Sequence, residues 1–163
     1  MEVLWAPWRM EYILSEKEDG CIFCNHLQKG DDRESLILYR GKHSFVIMNR
    51  YPYNNGHLMV APYRHVGALE ELSEEEAKEI MVNIQRCLSV LKEVMSPHGF
   101  NIGANVGKVA GAGVEDHLHF HIVPRWEGDT NYMAVVGSTR VIPEHLRESY
   151  EHLAKAFRLL PHP

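Results

Sequence analysis

The chain has 163 residues, of which 45% are hydrophobic and 24% are charged, a composition typical of a soluble globular protein with one core. Its net charge is −5 with the histidines neutral, so no overall attraction to nucleic acid or to an anionic membrane is expected. The unusual figure is the histidine count, which is 11.

The first residues, the apolar runs and the cysteine count argue against secreted, membrane-spanning and disulfide-rich proteins. Residues 1–9 lack a basic region followed by an apolar run, and no stretch approaches about 20 consecutive apolar residues, so neither a signal peptide nor a membrane span is expected. Three cysteines cannot close a disulfide framework. We therefore expect a cytoplasmic protein.

The first half of the chain predicts an arm followed by strands. A short helix over 11–15 is expected within an N-terminal arm that packs on the core. Short apolar and β-branched runs predict strands over 36–39, 43–48 and 57–61, with a turn-rich loop before the last of them. We expect these strands to pair in antiparallel fashion.

The second half begins with the clearest helix. Ser73 and Glu76 fit a capping box, the apolar residues that follow recur at helical spacing, and Pro97 ends the helix. Further strands are predicted over 100–106 and 117–124, and a last helix from Pro143 to Leu159. This order predicts an α+β fold with an antiparallel sheet of about five strands, a long helix and a C-terminal helix.

Three histidines alternate with apolar residues in the segment His117-Leu118-His119-Phe120-His121. In a strand, alternate side chains share one face, so the three imidazoles are expected on the same side. Such a row fits either a metal site or nucleophilic catalysis. The small-residue loop 107–113 just upstream is compatible with phosphate oxygens and favours phosphoryl or nucleotidyl transfer, although a plain hairpin has the same composition.

This segment resembles the signature of the histidine triad (HIT) family, in which three histidines alternate with apolar residues before an apolar pair. The blocks 49–52 and 56–60 resemble a second conserved block of that family, and the N-terminal Trp-Ala-Pro-Trp-Arg recurs in one subgroup. The resemblance implies a single domain over 1–163, with an arm at 1–34, a core at 35–126 and a C-terminal extension at 127–163. It also implies a homodimer with a nucleotide cleft.

The resemblance further implies the roles of individual residues. His119 is expected to attack the α-phosphorus of a nucleotide and to form a covalent nucleotidyl–histidine, with His121 contacting phosphate oxygens. His117 and His57 are expected to assist His119 as neighbouring imidazoles. The expected substrate contacts are Asn49 on the ribose, Asn105 and the loop residues Gly111, Ala112 and Gly113 on the phosphates, and Trp126 on a base.

The pair Cys21-x-x-Cys24 has the spacing of zinc ligands. Similarity to zinc-bearing HIT proteins and to galactose-1-phosphate uridylyltransferases implies His65 and His117 as the second pair, in a structural Cys₂His₂ site. A thioredoxin-like redox pair and free buried cysteines are the alternatives.

The leading functional hypothesis is hydrolysis or phosphorolysis of a dinucleoside polyphosphate such as diadenosine tetraphosphate. The alternatives are a hexose-1-phosphate nucleotidylyltransferase-like enzyme, which has glutamine where this chain has His121, and a nucleotide-binding dimer with weak catalysis. Trp126 fits either an adenine contact or the rim of an interface.

Overall fold

The computed structural model describes residues 20–129 and 144–161 of the chain. Its central element is one five-stranded antiparallel sheet with the strand order β1-β2-β3-β5-β4. The strands are β1 (Ile37–Arg40), β2 (Ser44–Met48), β3 (Leu58–Pro62), β4 (Gly99–Gly103) and β5 (Phe120–Arg125). In this order β5 lies inside the sheet, between β3 and the edge strand β4.

Within residues 20–129 and 144–161, four α-helices accompany the sheet. They are α1 (Ile22–Gln28), α2 (Asp32–Ser35), α3 (Glu74–Met95) and α4 (Leu146–Leu159). Short 3-10 turns cover Leu69–Glu71 and Lys108–Ala110. None of the helices in the described ranges is both long and apolar enough to cross a membrane.

Helix α3 forms as the sequence predicts and covers the sheet. The Ser73 hydroxyl accepts from the Glu76 amide, and the Glu76 carboxylate accepts from the Ser73 amide, which completes the capping box. Its buried face packs on β2, β3 and β5. On the same helix, the Glu79 carboxylate accepts the amides of His43 and Ser44 and so fastens the β1–β2 turn to α3.

Helix α4 closes the core from the side of β1 and α3. Its Tyr150 hydroxyl donates to the carbonyl oxygen of Ile37 at 3.0 Å, and Leu153 and Phe157 are buried. Burial of such side chains stabilises the docked helix by roughly 1.5–3 kcal/mol each.

The α+β fold with five antiparallel strands, a long helix and a C-terminal helix is therefore confirmed. The predicted strand over 117–124 was wrong at its start, because β5 begins at Phe120. The preceding residues bond elsewhere, with the Leu118 amide donating to the Val66 carbonyl at 2.6 Å. Strand β4 also ends at Gly103, short of the predicted 106.

Two other differences concern helices. Helix α4 begins at Leu146 and is capped by the His145 side chain, which accepts the Arg147 amide, whereas the sequence predicted a start near Pro143. Pro143 and the helix predicted over 11–15 lie outside the described residues. The division into arm, core and extension stays a prediction.

Candidate active site and metal centre

The ring orientation of His119 is fixed by its own backbone neighbourhood. Its Nδ1 lies 2.8 Å from the carbonyl oxygen of His117. A carbonyl only accepts, so Nδ1 carries the proton and Nε2 keeps a lone pair. Burial lowers the pKa of His119, with the bond to the His117 carbonyl opposing this effect. His119 is thus held as an uncharged imidazole with a nucleophilic Nε2.

A second pair of imidazoles lies beside it. The Tyr53 amide donates to Nδ1 of His57 at 3.0 Å, so the His57 proton is on Nε2. That atom lies 2.9 Å from Nδ1 of His121, which must therefore accept. His121 consequently carries its own proton on Nε2 and, while uncharged, offers an N–H donor.

The pKa values of both rings keep them uncharged at neutral pH. Burial lowers the pKa of His57 to about 3, with repulsion from His121 and His119 as lesser causes. Burial likewise lowers the pKa of His121 to about 4, with repulsion from His119. The rings of His119 and His121 lie 4.8 Å apart, nearly perpendicular.

His117 serves a different group of residues. Its Nε2 lies 2.9 Å from the carbonyl oxygen of Pro62, which assigns the proton to Nε2. Nδ1 therefore keeps a lone pair that can bind a metal. That Nδ1 faces the cysteine pair rather than the other triad rings. The expectation of three imidazoles on one face therefore holds only for His119 and His121, which approach one another.

The predicted metal ligands Cys21, Cys24, His65 and His117 come together, with ligand atoms within 4.8 Å of one another. Nδ1 of His117 is 3.3 Å from Sγ of Cys21 and 3.7 Å from Sγ of Cys24, and Nδ1 of His65 is 3.6 Å from Sγ of Cys24. Tetrahedral zinc with its usual bond lengths requires sulfur–nitrogen separations of about 3.5 Å. The donor set and its spacing fit zinc.

The sequence did not single out Phe23, which lies inside the Cys-x-x-Cys segment. Phe23 is buried, and its ring centroid is 5.1 Å from that of His117 and 4.9 Å from that of His119. The only sequence signal was an aromatic residue between two ligand positions. Phe23 brings helix α1 into contact with the proposed nucleophile.

His119 and His121 open into a cleft of about 880 Å³, which is within the size range of small-molecule sites. Other walls of the cleft are formed by Asn49, Tyr53 and the loop residues 111–113. Tyr53, also missed from the sequence, lies against the ring of His57 at 4.6 Å and that of His121 at 5.6 Å.

The remaining predicted substrate contacts divide into two groups. Asn49 lines the cleft, its Oδ1 accepts the Tyr51 amide, and its Nδ2 lies 3.3 Å from Nδ1 of His57. Asn105 and Trp126 are not among the described residues that form the cleft walls. Asn105 donates to the Gly111 carbonyl at 3.4 Å, and the Trp126 indole donates to the Met95 carbonyl at 3.2 Å.

The small-residue loop is more internally bonded than its composition indicated. The amides of Ala110 and Ala112 donate to the Gly107 carbonyl, and the Gly111 amide donates to the Lys108 carbonyl. Gly107 and Gly111 both have positive φ, at 82° and 90°, which favours glycine at these positions. The loop is thus a shaped wall of the cleft.

Comparison with known proteins identifies the family of the chain. The HIT domain model matches residues 31–128. A Mycobacterium tuberculosis protein named AP-4-A phosphorylase is 41% identical, over 99% of this chain and 87% of its own length. A Dictyostelium discoideum bis(5'-adenosyl)-triphosphatase is 36% identical, over 60% of this chain and 64% of its own.

A similar solved structure is that of a Zn-bound histidine triad family protein from Mycobacterium smegmatis. It is 27% identical, with a TM-score of 0.69, and the match covers 85% of this chain and 94% of the other. With the imidazoles in a cleft beside a five-stranded sheet, these matches define the class, and the chain belongs to the HIT family.

Proposed function

We propose that the chain is an enzyme that transfers a nucleotidyl group from a dinucleoside polyphosphate, with diadenosine tetraphosphate as the leading substrate. The observation that carries this proposal is the bond between Nδ1 of His119 and the His117 carbonyl, which leaves Nε2 unprotonated beside the cleft. The names of the Mycobacterium tuberculosis and Dictyostelium discoideum relatives support the substrate class.

In the proposed reaction, Nε2 of His119 attacks the α-phosphorus, a phosphorus–nitrogen bond forms, and the bond from that phosphorus to the bridging oxygen breaks. With diadenosine tetraphosphate, ATP departs as the leaving group and the adenylyl group stays bonded to His119. The Nε2–H of His121 would donate to a non-bridging oxygen, where negative charge develops. Because this donor is already uncharged and oriented through His57, no protonation step is needed to prepare it.

An acceptor completes the reaction by attacking the same phosphorus and releasing His119. Orthophosphate would yield ADP, and water would yield AMP. We favour orthophosphate because a relative that matches this chain along 99% of its length is named AP-4-A phosphorylase. The expected contacts of Asn49 and of loop residues 111–113 with the substrate remain part of this proposal, since both line the cleft.

Zinc is the second part of the proposal. Cys21, Cys24, His65 and His117 would hold it as a closed structural site, and the metal would supply cross-linking rather than chemistry at the phosphate. The Pro62 carbonyl would orient His117 for this role by accepting its Nε2–H. The similar structure of the Zn-bound histidine triad family protein from Mycobacterium smegmatis supports this assignment.

A homodimer is the third part. Among the described strands, β4 is at the sheet edge and has no neighbour on its outer side. Ile102 on this strand and Val106 just beyond it are each 47% exposed. Pairing of two such edges would cover apolar surface and complete the open ladder.

A cytoplasmic location, in which the three free cysteines stay reduced, belongs to the same proposal.

Product analysis tests the enzymatic part. The chain is incubated with diadenosine tetraphosphate with and without orthophosphate, and the nucleotides are separated. We expect ADP and ATP with phosphate, and no product from His119→Ala. As a matched control, His98→Ala changes a histidine whose Nδ1 accepts the Glu127 amide, and it should keep its activity. Turnover by His119→Ala would refute the nucleophile, and tight AMP binding without any turnover by the wild type would favour a binding protein.

A further inference from the structure

Asn54 is a buried polar residue of the β2–β3 loop and is 6% exposed. Its Nδ2 donates to the carbonyl oxygen of Pro124 at 3.0 Å and to Oδ2 of Asp129 at 3.0 Å. Both acceptors belong to the end of β5 and the turn that follows. One amide group therefore ties the loop that precedes β3 to the strand that carries His121.

Asp129, which accepts from the Asn54 side chain, is itself held by several hydrogen bonds. Arg125 binds both carboxylate oxygens of Asp129, at 2.6 and 2.8 Å, and the Trp126 amide donates to Oδ2 at 3.1 Å. Such a bidentate ion pair fixes the orientation of the carboxylate as well as its position. Asn54 is thus anchored to a rigid group.

The other end of the link leads to His57. The His57 amide donates to the Asn54 carbonyl at 3.2 Å, and the Tyr53 amide donates to Nδ1 of the His57 ring at 3.0 Å. Both bonds can form only when residues 53–57 keep a single backbone conformation. The ring of His57 in turn places its Nε2–H on Nδ1 of His121 at 2.9 Å.

We propose that Asn54 is a positioning residue, which holds the loop so that His57 fixes the tautomer of His121 and aims its Nε2–H into the cleft. The effect of Asn54 on turnover rests on the proposed nucleotidyl transfer, whereas its effect on the two imidazoles does not. Loss of the link frees residues 53–57 to shift, and the His57–His121 bond then lengthens or breaks. Misplacement of a reacting group by about 1 Å costs on the order of a hundredfold in rate.

The neighbouring residue offers a matched control. Asn55 has the same side chain, but its Oδ1 accepts the Ser149 hydroxyl at 3.1 Å and so joins the loop to α4. Asn55→Ala removes this one side-chain hydrogen bond from the same loop without touching the link to β5. A merely structural role for Asn54 predicts the same outcome for both variants.

The experiment compares Asn54→Ala and Asn55→Ala by steady-state kinetics with diadenosine tetraphosphate and by 15N spectra of the imidazoles. For Asn54→Ala we expect kcat to fall roughly tenfold to a hundredfold, KM to change little, and the His57 and His121 nitrogen signals to shift toward a mixture of tautomers. For Asn55→Ala we expect wild-type kcat and spectra with a lower unfolding temperature.

A second variant keeps the test decisive if Asn54→Ala does not fold. Asp129→Asn retains the size of the side chain but removes the charge that orients it, and a smaller shift in the same direction is expected. Unchanged imidazole spectra in these variants, or equal effects from Asn54→Ala and Asn55→Ala, would overturn the proposal. If the wild type turns over no dinucleoside polyphosphate, the proposed function fails, and the spectra alone decide the role of Asn54.

Discussion

Phe23 and His119 are 96 residues apart in the chain, and their ring centroids lie 4.9 Å apart, tilted by 44°. Phe23 lies between Cys21 and Cys24, and it also contacts His117 at 5.1 Å. The segment that supplies two of the predicted zinc ligands therefore packs directly on the proposed nucleophile. A metal held by this segment would fix one wall of the cleft.

Replacement of Phe23 should reduce turnover while leaving the metal bound. Phe23→Leu keeps the site apolar but removes the ring that contacts His119, so we expect a several-fold fall in kcat and a loss of stability of about 1–3 kcal/mol. The checks are steady-state kinetics and zinc content. Phe157→Leu, in the buried face of α4, should cost similar stability with kcat unchanged. Equal kcat in the two variants would contradict a role for Phe23 at His119.

Zinc should co-purify with the chain at about one ion per molecule, because the four ligand atoms already lie within 4.8 Å of one another and form a Cys₂His₂ donor set. Removal by a chelator should lower the unfolding temperature, and Cys24→Ser should prevent reloading, both measured by metal analysis and thermal denaturation. Cys87→Ala provides the contrast, since Cys87 is buried in the core on α3 and should lose stability but keep zinc. A folded wild-type protein that contains no zinc and gains no stability from it would refute the site.

Acid should destabilise the fold through His57. Its pKa is about 3 in the folded state and 6.5 in the unfolded chain. Below pH 6.5 the unfolded chain therefore binds a proton that the folded protein does not, and the free energy of unfolding falls by up to about 1.4 kcal/mol per pH unit. His121, with a folded pKa of about 4, acts in the same direction.

Urea unfolding at pH 7.5 and 5.5 measures this loss. The variant His57→Gln should be less stable at pH 7.5 but should show a shallower decline toward pH 5.5, since it lacks one of the titrating groups. The metal ligands are the same in both proteins, so the difference between the two slopes reports the loss of His57 together with any change it causes at His121. Equal slopes would show that His57 does not titrate as its burial requires.

The exposed edge of β4 should determine the oligomeric state. Ile102→Glu places a charge on the strand that we propose to pair with a second copy, and it should convert a dimer to a monomer in size-exclusion chromatography with light scattering. Met81→Glu, at an exposed methionine of α3, is the control and should leave the dimer intact. A wild-type protein that is monomeric at all concentrations would exclude the homodimer.

The sequence predicted the elements whose patterns are local. The Ser73–Glu76 capping box and the strands before Pro62 formed as expected, because caps and alternation act within a few residues. The alternation at His117 to His121 predicted three imidazoles on one face, but the ring of His117 faces the cysteine pair instead. His117 bonds through its ring to Pro62 and through its carbonyl to His119, and neither partner is visible from spacing.

The residues that sequence reasoning missed act through distant contacts. Phe23 and Asn54 were not among the predicted ligands or catalytic residues, and each contacts the site through a residue about 70 to 96 positions away. The ligand set of the metal centre was predicted only through a resemblance, since the cysteine spacing by itself left a redox pair and free thiols open. Tertiary packing is what joins these residues to the site.

Strand β5 has hydrogen-bonded neighbours on both sides, with His121 opposite Met59 of β3 and Gly103 of β4. We expect the amide protons of such a central strand to exchange with solvent only when the whole sheet opens, and those of the irregular segment 107–116 to exchange through local opening. If the proposed nucleotidyl transfer occurs in this cleft, we expect the movements that admit the substrate to take place in this wall at little free-energy cost. His121, paired on both sides, is expected to keep its position while the wall moves.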